Sequence, residues 1–298
     1  MNIIWLDQLD FLKANGGGEF YKKALYNYLK DVANVEYFTP NYYIDCLSAD
    51  VFIFSDLFNQ PSLHPRQWFD QSSILNITKN FKYITMDTGF STICDKDYFP
   101  CNGIHFGCSD CFCKGKRLDF LRQYYKNAAA TIFLSPLHQK TIEAAIETTL
   151  NNVILMRPPI DYDKFYSDNQ DRPIDILYVG VLNEAKGLPE LIHSYGNTNK
   201  NVVLIGHSLY GGKLPENFTH IDHINRNELP QWYARSKSFW AKVVWHEPFG
   251  LTTAEAAIAG CSILSNERSG AMSWNTSLRE RNFYRQPGQE IWEKIINL

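Results

Sequence analysis

The chain contains no apolar run long enough to cross a bilayer, for which about 18 to 20 residues are needed, so no transmembrane helix is expected. Its first residues, "MNIIWLDQLDFLKANGGGEF", have no basic stretch and no long apolar segment. No secretory signal is therefore expected, and a cytoplasmic protein is the default expectation. An excess of one charge sign is also missing: the formal net charge is -3, which does not advertise a nucleic-acid binder. There is no internal repeat and no low-complexity tract. In a reducing compartment the seven cysteines are not expected to form a disulfide framework. What remains is ordinary globular material, 45% hydrophobic and 14% aromatic over 298 residues. That length suits one large or two ordinary domains at roughly 100–200 residues each.

Short apolar runs alternate with longer helix-like stretches, the rhythm of β-α units and parallel sheets. In the first half the runs predict strands at Ile3–Leu6, Val35–Phe38, Val51–Phe54, Tyr83–Met86, Thr131–Leu134 and Val153–Met156. Amphipathic stretches such as Glu19–Lys30 and Leu137–Thr149 lie between them. The segment "RPPIDYDKFYSDNQDRP", Arg157 to Pro173, is rich in Pro and Asp without apolar period and reads as an interdomain linker. The pattern then restarts, with strands expected at Ile176–Val179, Val202–Ile205, His220–His223, Phe239–Val244 and Ser262–Leu264, and helices at Leu188–Tyr195, Glu228–Ser236 and Thr253–Ala259. The expectation is an α/β chain of two Rossmann-like lobes with a cleft between them, residues 1–157 and 158–298, with a cysteine-rich insertion at about 88–117 in the first. Ligands in open α/β sheets bind beyond the C-terminal ends of the strands.

The most informative segment is "WHEPFGLTTAEAAIAGCSIL", Trp245 to Leu264. An apolar run enters His246–Glu247–Pro248–Phe249–Gly250, and a helix is expected from Thr252 or Thr253 to Gly260. Thr252 with Glu255 reads as an N-cap and its capping-box partner. A helix N-terminus after a glycine-containing turn presents unpaired amides to a phosphate. Glu247 and Glu255 bracket that turn, and carboxylates accept hydrogen bonds from sugar and ribose hydroxyls. The local alternative is that Glu255 is only a capping residue and Glu247 only a loop carboxylate.

The string "EPFGLTTAEAAIAGC" resembles the Glu-x7-Glu signature of the family-4 retaining glycosyltransferases, which have the GT-B fold. Three further segments resemble that family in the order it requires: "NGGGEF" (Asn15 to Phe20), "RPPIDYDKF", and "ILYVGVLNEAKGLPELI". The resemblance implies transfer of a sugar from a UDP- or GDP-sugar with retention at the anomeric carbon, and no metal at the diphosphate. It implies that Glu255 binds ribose hydroxyls and Glu247 the sugar hydroxyls. His246 and the backbone at Phe249, Gly250, Leu251 and Thr252 would lie along sugar and diphosphate. Lys186 would neutralise the diphosphate, and Gly17 and Gly18 would admit the donor, since only glycine tolerates such approach and positive φ freely. The sequence departs from the family at Val181 and Leu182, where a second basic residue is usual, leaving Lys186 alone or assisted by Arg157 or Lys242. Asp87, after the run "YITM", and His105 are expected to orient sugar or acceptor; each is otherwise a turn residue.

Cys94, Cys101, Cys108, Cys111 and Cys113 follow the spacing C-x6-C-x6-C-x2-C-x-C. A Cys-x2-Cys pair plus two more cysteines suits tetrahedral zinc. Some members of the resembled family carry a four-cysteine insertion here, which maps onto Cys94, Cys101, Cys108 and Cys111, with Cys113 or His105 as substitutes. Free thiols and disulfides are the alternatives, while Cys46 and Cys261 read as buried small hydrophobes. The following "CKGKRLDFLRQYYKNA" carries Lys114, Lys116, Arg117, Arg122 and Lys126 among Phe120, Tyr124 and Tyr125. It reads as a solvated helix face, or as a surface for an anionic acceptor: a lipid-linked glycan, an acidic polysaccharide, or single-stranded DNA stacked on the aromatics. A glycan or lipid-linked glycan is the preferred acceptor. The rivals are a phage-type DNA glycosyltransferase, an epimerase or phosphorylase of the same fold, an inactive GT-B-like binding protein, and a zinc-knuckle nucleic-acid binder.

Overall fold

The computed structural model describes residues 1–7, 10–13, 16–39, 47–57, 71–90, 92–93, 116–284 and 287–297. The chain divides into two compact units, Met1–Pro159 with Gln286–Leu298, and Ile160–Arg285.

The first unit runs β1 (Asn2–Asp7), α1 (Gly17–Val32), β2 (Asn34–Phe38), β3 (Val51–Ser55), α2 (Gln71–Asn80), β4 (Tyr83–Met86), α3 (Lys116–Asn127), β5 (Ala130–Phe133), α4 (Pro136–Ile146) and β6 (Val153–Leu155). The strands form one parallel sheet in the order β2-β1-β3-β4-β5-β6. Its central strands "VFIFS", "YITM" and "ATIF" are buried along their whole length. Continuous apolar runs of this kind belong to parallel strands covered on both faces, which is why period-2 alternation is absent from them. Helix α4 is fixed locally: Ser135 accepts from the His138 amide, Pro136 opens the first turn, and Glu147 ends the helix in the left-handed region.

The second unit runs α5 (Tyr162–Phe165), β7 (Ile174–Val179), α6 (Leu188–Tyr195), β8 (Val202–Ile205), β9 (Phe218–Ile221), α7 (Leu229–Ala234), β10 (Ser236–Ala241), α8 (Leu251–Ile258) and β11 (Ser262–Ser265). The last helix, α9 (Pro287–Ile296), returns to the first unit. The second sheet is also parallel, in the order β11-β10-β7-β8-β9. The chain progresses from β7 through β8 to β9 on one side, then returns to place β10 on the other side of β7. The ends of β7 and β10 therefore form the point where strand order reverses, the usual ligand position in such sheets. One face of the sheet is sealed by Leu188 and Leu191 of α6 against Ile176, Tyr178, Leu204 and Trp240.

Three local expectations change. The segment 157–173 is not a bare linker: Asp161 caps α5 by accepting from the Lys164 amide, and Ile160 and Phe165 are buried. Strand β10 begins and ends three residues earlier than its apolar run suggests, because Val244 leaves the sheet to donate its amide to Ala185 O at 2.9 Å. Strand β9 covers Phe218–Ile221 rather than His220–His223, its end fixed by the Gly206 amide on Ile221 O at 2.9 Å. Among the described residues no helix is long and apolar enough to cross a membrane.

Candidate functional site

In the second unit, the loops after β7 and β10 bring together residues far apart in sequence. Lys186 sits in the turn between β7 and α6. Its amide donates to Asn183 Oδ1 at 2.9 Å, and Gly187 beside it holds φ at +76°. A Cβ at Gly187 would stand 2.0 Å from Lys242 O, so close approach and left-handed backbone both require glycine there. The Lys186 ammonium lies 4.7 Å from the centroid of the Trp245 ring and pairs with Glu247 Oε1. Both side chains keep partial exposure, 25% for Lys186 and 14% for Glu247. Tyr178, Lys186, Trp240, Glu247, Thr252 and Thr253 are among the residues lining a small open pocket at this point.

The turn carrying Glu247 is anchored by backbone. The Glu247 amide donates to Arg268 O at 2.9 Å, the Gly270 amide donates to Glu247 O at 3.0 Å, and the Ala271 amide donates to Phe249 O at 2.6 Å. Phe249 and Leu251 are buried, so they present backbone rather than side chains at the turn. Gly250 has φ of +91°, and a Cβ there would stand 2.9 Å from Glu247 Oε2. Gly250, not Thr252, is the N-cap of α8, and no side chain caps the helix. The capping-box expectation for Thr252 and Glu255 is therefore corrected: the left-handed Gly250 starts the helix earlier and leaves Glu255 uncommitted to the helix end. The first-turn amides of α8, at Leu251 and Thr252, have no partner within the helix, and Thr252 lines the same pocket as Lys186 and Glu247.

Glu255 lies on α8 and is fully buried. Its carboxylate pairs with the Arg226 guanidinium through Oε1, and Oε2 accepts from the Tyr233 hydroxyl at 3.0 Å. Burial pushes its pKa up to about 7, against the opposing pull of Arg226, the Tyr233 hydrogen bond and Lys164. Arg226 is set by its backbone: Asn225 and Glu228 form a reciprocal capping box around the 3-10 turn Arg226–Glu228.

The first unit holds a second polar cluster, at the ends of β1, β3 and β4. Lys22 of α1 is fully buried, with Nζ 2.7 Å from Asp7 Oδ2 and 2.5 Å from Asp56 Oδ2. Trp5 Nε1 donates to Ser55 Oγ at 2.7 Å, and that hydroxyl donates to Asp7. Asp56, at φ +46°, accepts from the Thr88 amide at 2.9 Å and hydroxyl at 2.7 Å. Asp87 is buried; Oδ1 accepts from the Asp56 amide at 3.1 Å and the Thr92 hydroxyl at 2.8 Å, and Oδ2 from the Tyr125 hydroxyl at 2.5 Å. Burial and the neighbouring Asp56 push the Asp87 carboxyl up to about 7. Burial likewise lifts Asp7 to about 6 despite Lys22, whereas at Asp56 burial is outweighed by the Lys22 ammonium and the Lys22 and Thr88 hydrogen bonds acting together, and the pKa falls.

Residues 160–298 match the family model described as glycosyl transferases group 1. No curated protein matches the chain. Among solved structures, Anabaena HepE in complex with UDP is similar over 100% of both chains at 14% identity and a TM-score of 0.66. Sucrose-phosphate synthase from Thermosynechococcus elongatus is similar over 100% of this chain and 95% of its own, at 14% identity and TM-score 0.63. A glycosyltransferase from Rickettsia africae is similar over 99% of this chain and 93% of its own, at 11% identity and TM-score 0.60. At such identities the likeness is one of fold, and the fold is GT-B. Family match and fold together support a GT-B glycosyltransferase.

Within the group 1 segment, Lys186, Glu247, Gly250 and Thr252 gather around one turn, with His246 adjoining; Glu255 lies on the helix that follows. Lys242 is held on the Trp240 ring at 5.1 Å and by Glu190 at 3.1 Å. Arg157, in the other unit, is 3.7 Å from Glu290 of α9. Gly17 and Gly18 open α1 in ordinary helical backbone, so positive φ is not what they supply. A Cβ on Gly18 would stand 2.3 Å from Thr88 Oγ1, a packing reason for glycine. Phe120, Tyr124 and Tyr125 are buried, which corrects the reading of α3 as a stacking surface for DNA: its aromatics build the core. His105, Cys94, Cys101, Cys108, Cys111, Cys113, Cys46 and Lys114 lie outside the described residues; among the described residues no cluster of metal-ligating side chains occurs. Cys261 is buried, its thiol 3.2 Å from Tyr233 O. Sequence reasoning missed Arg226 and Lys22. The Asn225-x-x-Glu228 pattern was a legible cap signal for the former; a lysine on an amphipathic helix carried none for the latter.

Proposed function

We propose that the protein transfers a sugar from a nucleotide-sugar donor to a hydroxyl acceptor with retention at the anomeric carbon. The observation that carries this reading is the grouping of Lys186, Glu247 and the α8 N-terminus at the strand-order reversal, with buried Glu255 eight residues after Glu247. Breaking the bond between the anomeric carbon and the β-phosphate oxygen leaves negative charge on the diphosphate. The Lys186 ammonium and the first-turn amides of α8 stabilise that charge where it develops. The acceptor oxygen forms its bond to the anomeric carbon on the face the diphosphate leaves, and its proton passes to the departing phosphate oxygen. Glu247 receives sugar hydroxyls and Glu255 the ribose hydroxyls. Diphosphate charge is met by protein groups, so no metal is required there. A uridine donor is the first choice, since HepE is solved with UDP and with UDP-glucose; a guanosine donor is the second. The acceptor is a glycan or lipid-linked glycan.

Asp87 acts as a positioning residue within the polar cluster of the first unit rather than touching sugar, because both of its oxygens already serve Asp56, Thr92 and Tyr125. The test is a thermal-shift screen against UDP-, GDP-, ADP- and CMP-sugars, followed by NMR of the anomeric configuration of the product. Stabilisation by one nucleotide family, lost in Glu255→Ala, is the expected result. No shift with any donor would sink the reading, and an inverted product would sink its stereochemical part.

A further inference from the structure

Glu255 is the group assigned above to ribose, yet it has no exposed surface. Two groups hold its carboxylate. Tyr233 is itself buried, so it closes the inner side. Arg226 is the outer one: its side chain is 36% exposed while that of Glu255 is 0%. The route from solvent to the carboxylate therefore passes through the guanidinium. The backbone under Arg226 is held by the Asn225–Glu228 capping box, so exchange at Glu255 is a side-chain motion and not a loop opening. Lys164, whose ammonium donates to Asn227 Oδ1 at 2.6 Å, adds positive charge near Glu255.

We propose that Arg226 is a specificity-determining residue that competes with the ligand for Glu255, so that only a ligand bearing a vicinal diol displaces it. This deepens the donor reading above and rests on it. A carboxylate oxygen has two lone pairs, and the charge-assisted bond that the guanidinium makes to Oε1 is matched only by two neutral hydroxyl donors. A ribose offers both hydroxyls. A 2′-deoxyribose offers one, which leaves part of a buried carboxylate unpaired once the guanidinium is gone. The competition also lowers the affinity for the proper ligand, because the site is competent only in the fraction of molecules whose Arg226 has swung away.

The experiment is calorimetric titration of the full chain with UDP, GDP, ADP and CDP and with the 2′-deoxy form of whichever binds, at pH 8.5. It is run on wild type, Arg226→Ala, Arg226→Lys and Glu255→Gln, each first shown to be folded by circular dichroism. The expected result is tighter binding of the ribonucleotide by Arg226→Ala, roughly three- to tenfold. The penalty for the 2′-deoxy form should shrink in the same variant, with Arg226→Lys falling between it and wild type and Glu255→Gln binding more weakly than wild type. Binding by Arg226→Ala that is unchanged or weaker, while Glu255→Gln still weakens binding, would overturn this inference and leave the donor reading standing. No binding of any nucleoside diphosphate to any of the four proteins would overturn both.

Discussion

Replacing Lys22 by methionine is a direct test of the polar cluster in the first unit. The substitution keeps an unbranched side chain one heavy atom shorter and removes its charge. In the folded protein the ammonium is fully buried and contacts Asp7 at 2.7 Å and Asp56 at 2.5 Å. Burial alone would discharge it, but Asp56 and Asp7 outweigh burial and hold it charged. Removing one partner of a buried ion pair costs about 3–5 kcal/mol, because the remaining charge is left unpaired. Two carboxylates are orphaned here, but Asp7 is already lifted to about 6, so it takes up a proton near neutral pH and relieves one of them. The expected loss at pH 7.5 therefore stays near the same 3–5 kcal/mol rather than doubling. The pH dependence follows by linkage. Wild-type Asp56, with its lowered pKa, contributes stability above its unfolded pKa that is lost as pH falls through its folded value. In the variant both carboxyls favour the protonated form, so stability is lost as pH rises from about 4. The gap between the two proteins should be widest at neutral pH and should narrow toward pH 4–5. Urea unfolding followed by circular dichroism measures the gap, and amide exchange over residues 1–57 locates it in the first unit. A loss below about 1 kcal/mol at pH 7.5, or a gap of the same size at pH 5, would refute the reasoning.

In Asp87→Asn the sign is opposite. The wild-type carboxyl is held at about 7 when folded, from an ordinary value of 3.8, so the folded protein binds more protons between those limits and loses stability as pH rises through them; the variant should gain on wild type over that window in urea titrations. Gly250→Ala meets both a φ of +91° and a 2.9 Å approach to Glu247 Oε2, and should cost about 1–3 kcal/mol in thermal or urea unfolding. Lys186→Ala, at a partly exposed position, should leave folding nearly unchanged while lowering the transfer kcat by about a hundredfold or more; an unchanged kcat would remove Lys186 from the chemistry.

Strand identity was legible in the sequence because parallel strands buried on both faces read as unbroken apolar runs, as in "VFIFS" and "VVLI". The order of motifs along the chain was legible too, because the stretch from Glu247 to Glu255 is local and its glycine turn and helix follow from neighbouring residues. Local pattern failed where distant backbone intervened. The Val243–Trp245 run looks like strand, yet Ala185 captures its amides and bends it toward the turn. Gly250 displaced Thr252 as the cap because the anchoring of Glu247 and Phe249 to residues 268–271 set the turn before α8.

What the sequence by itself determined is the alternation of elements, the two sheets it implies, and the Glu-x7-Glu segment, since each depends on residues within one or two turns of each other. Only tertiary structure decided the electrostatics. Lys22 meets Asp7 and Asp56 because α1 crosses the ends of β1 and β3, and Arg226 reaches Glu255 because α7 and α8 pack side by side behind β10. A charge becomes buried and paired only when separate segments close over it, and no spacing along the chain records that closure.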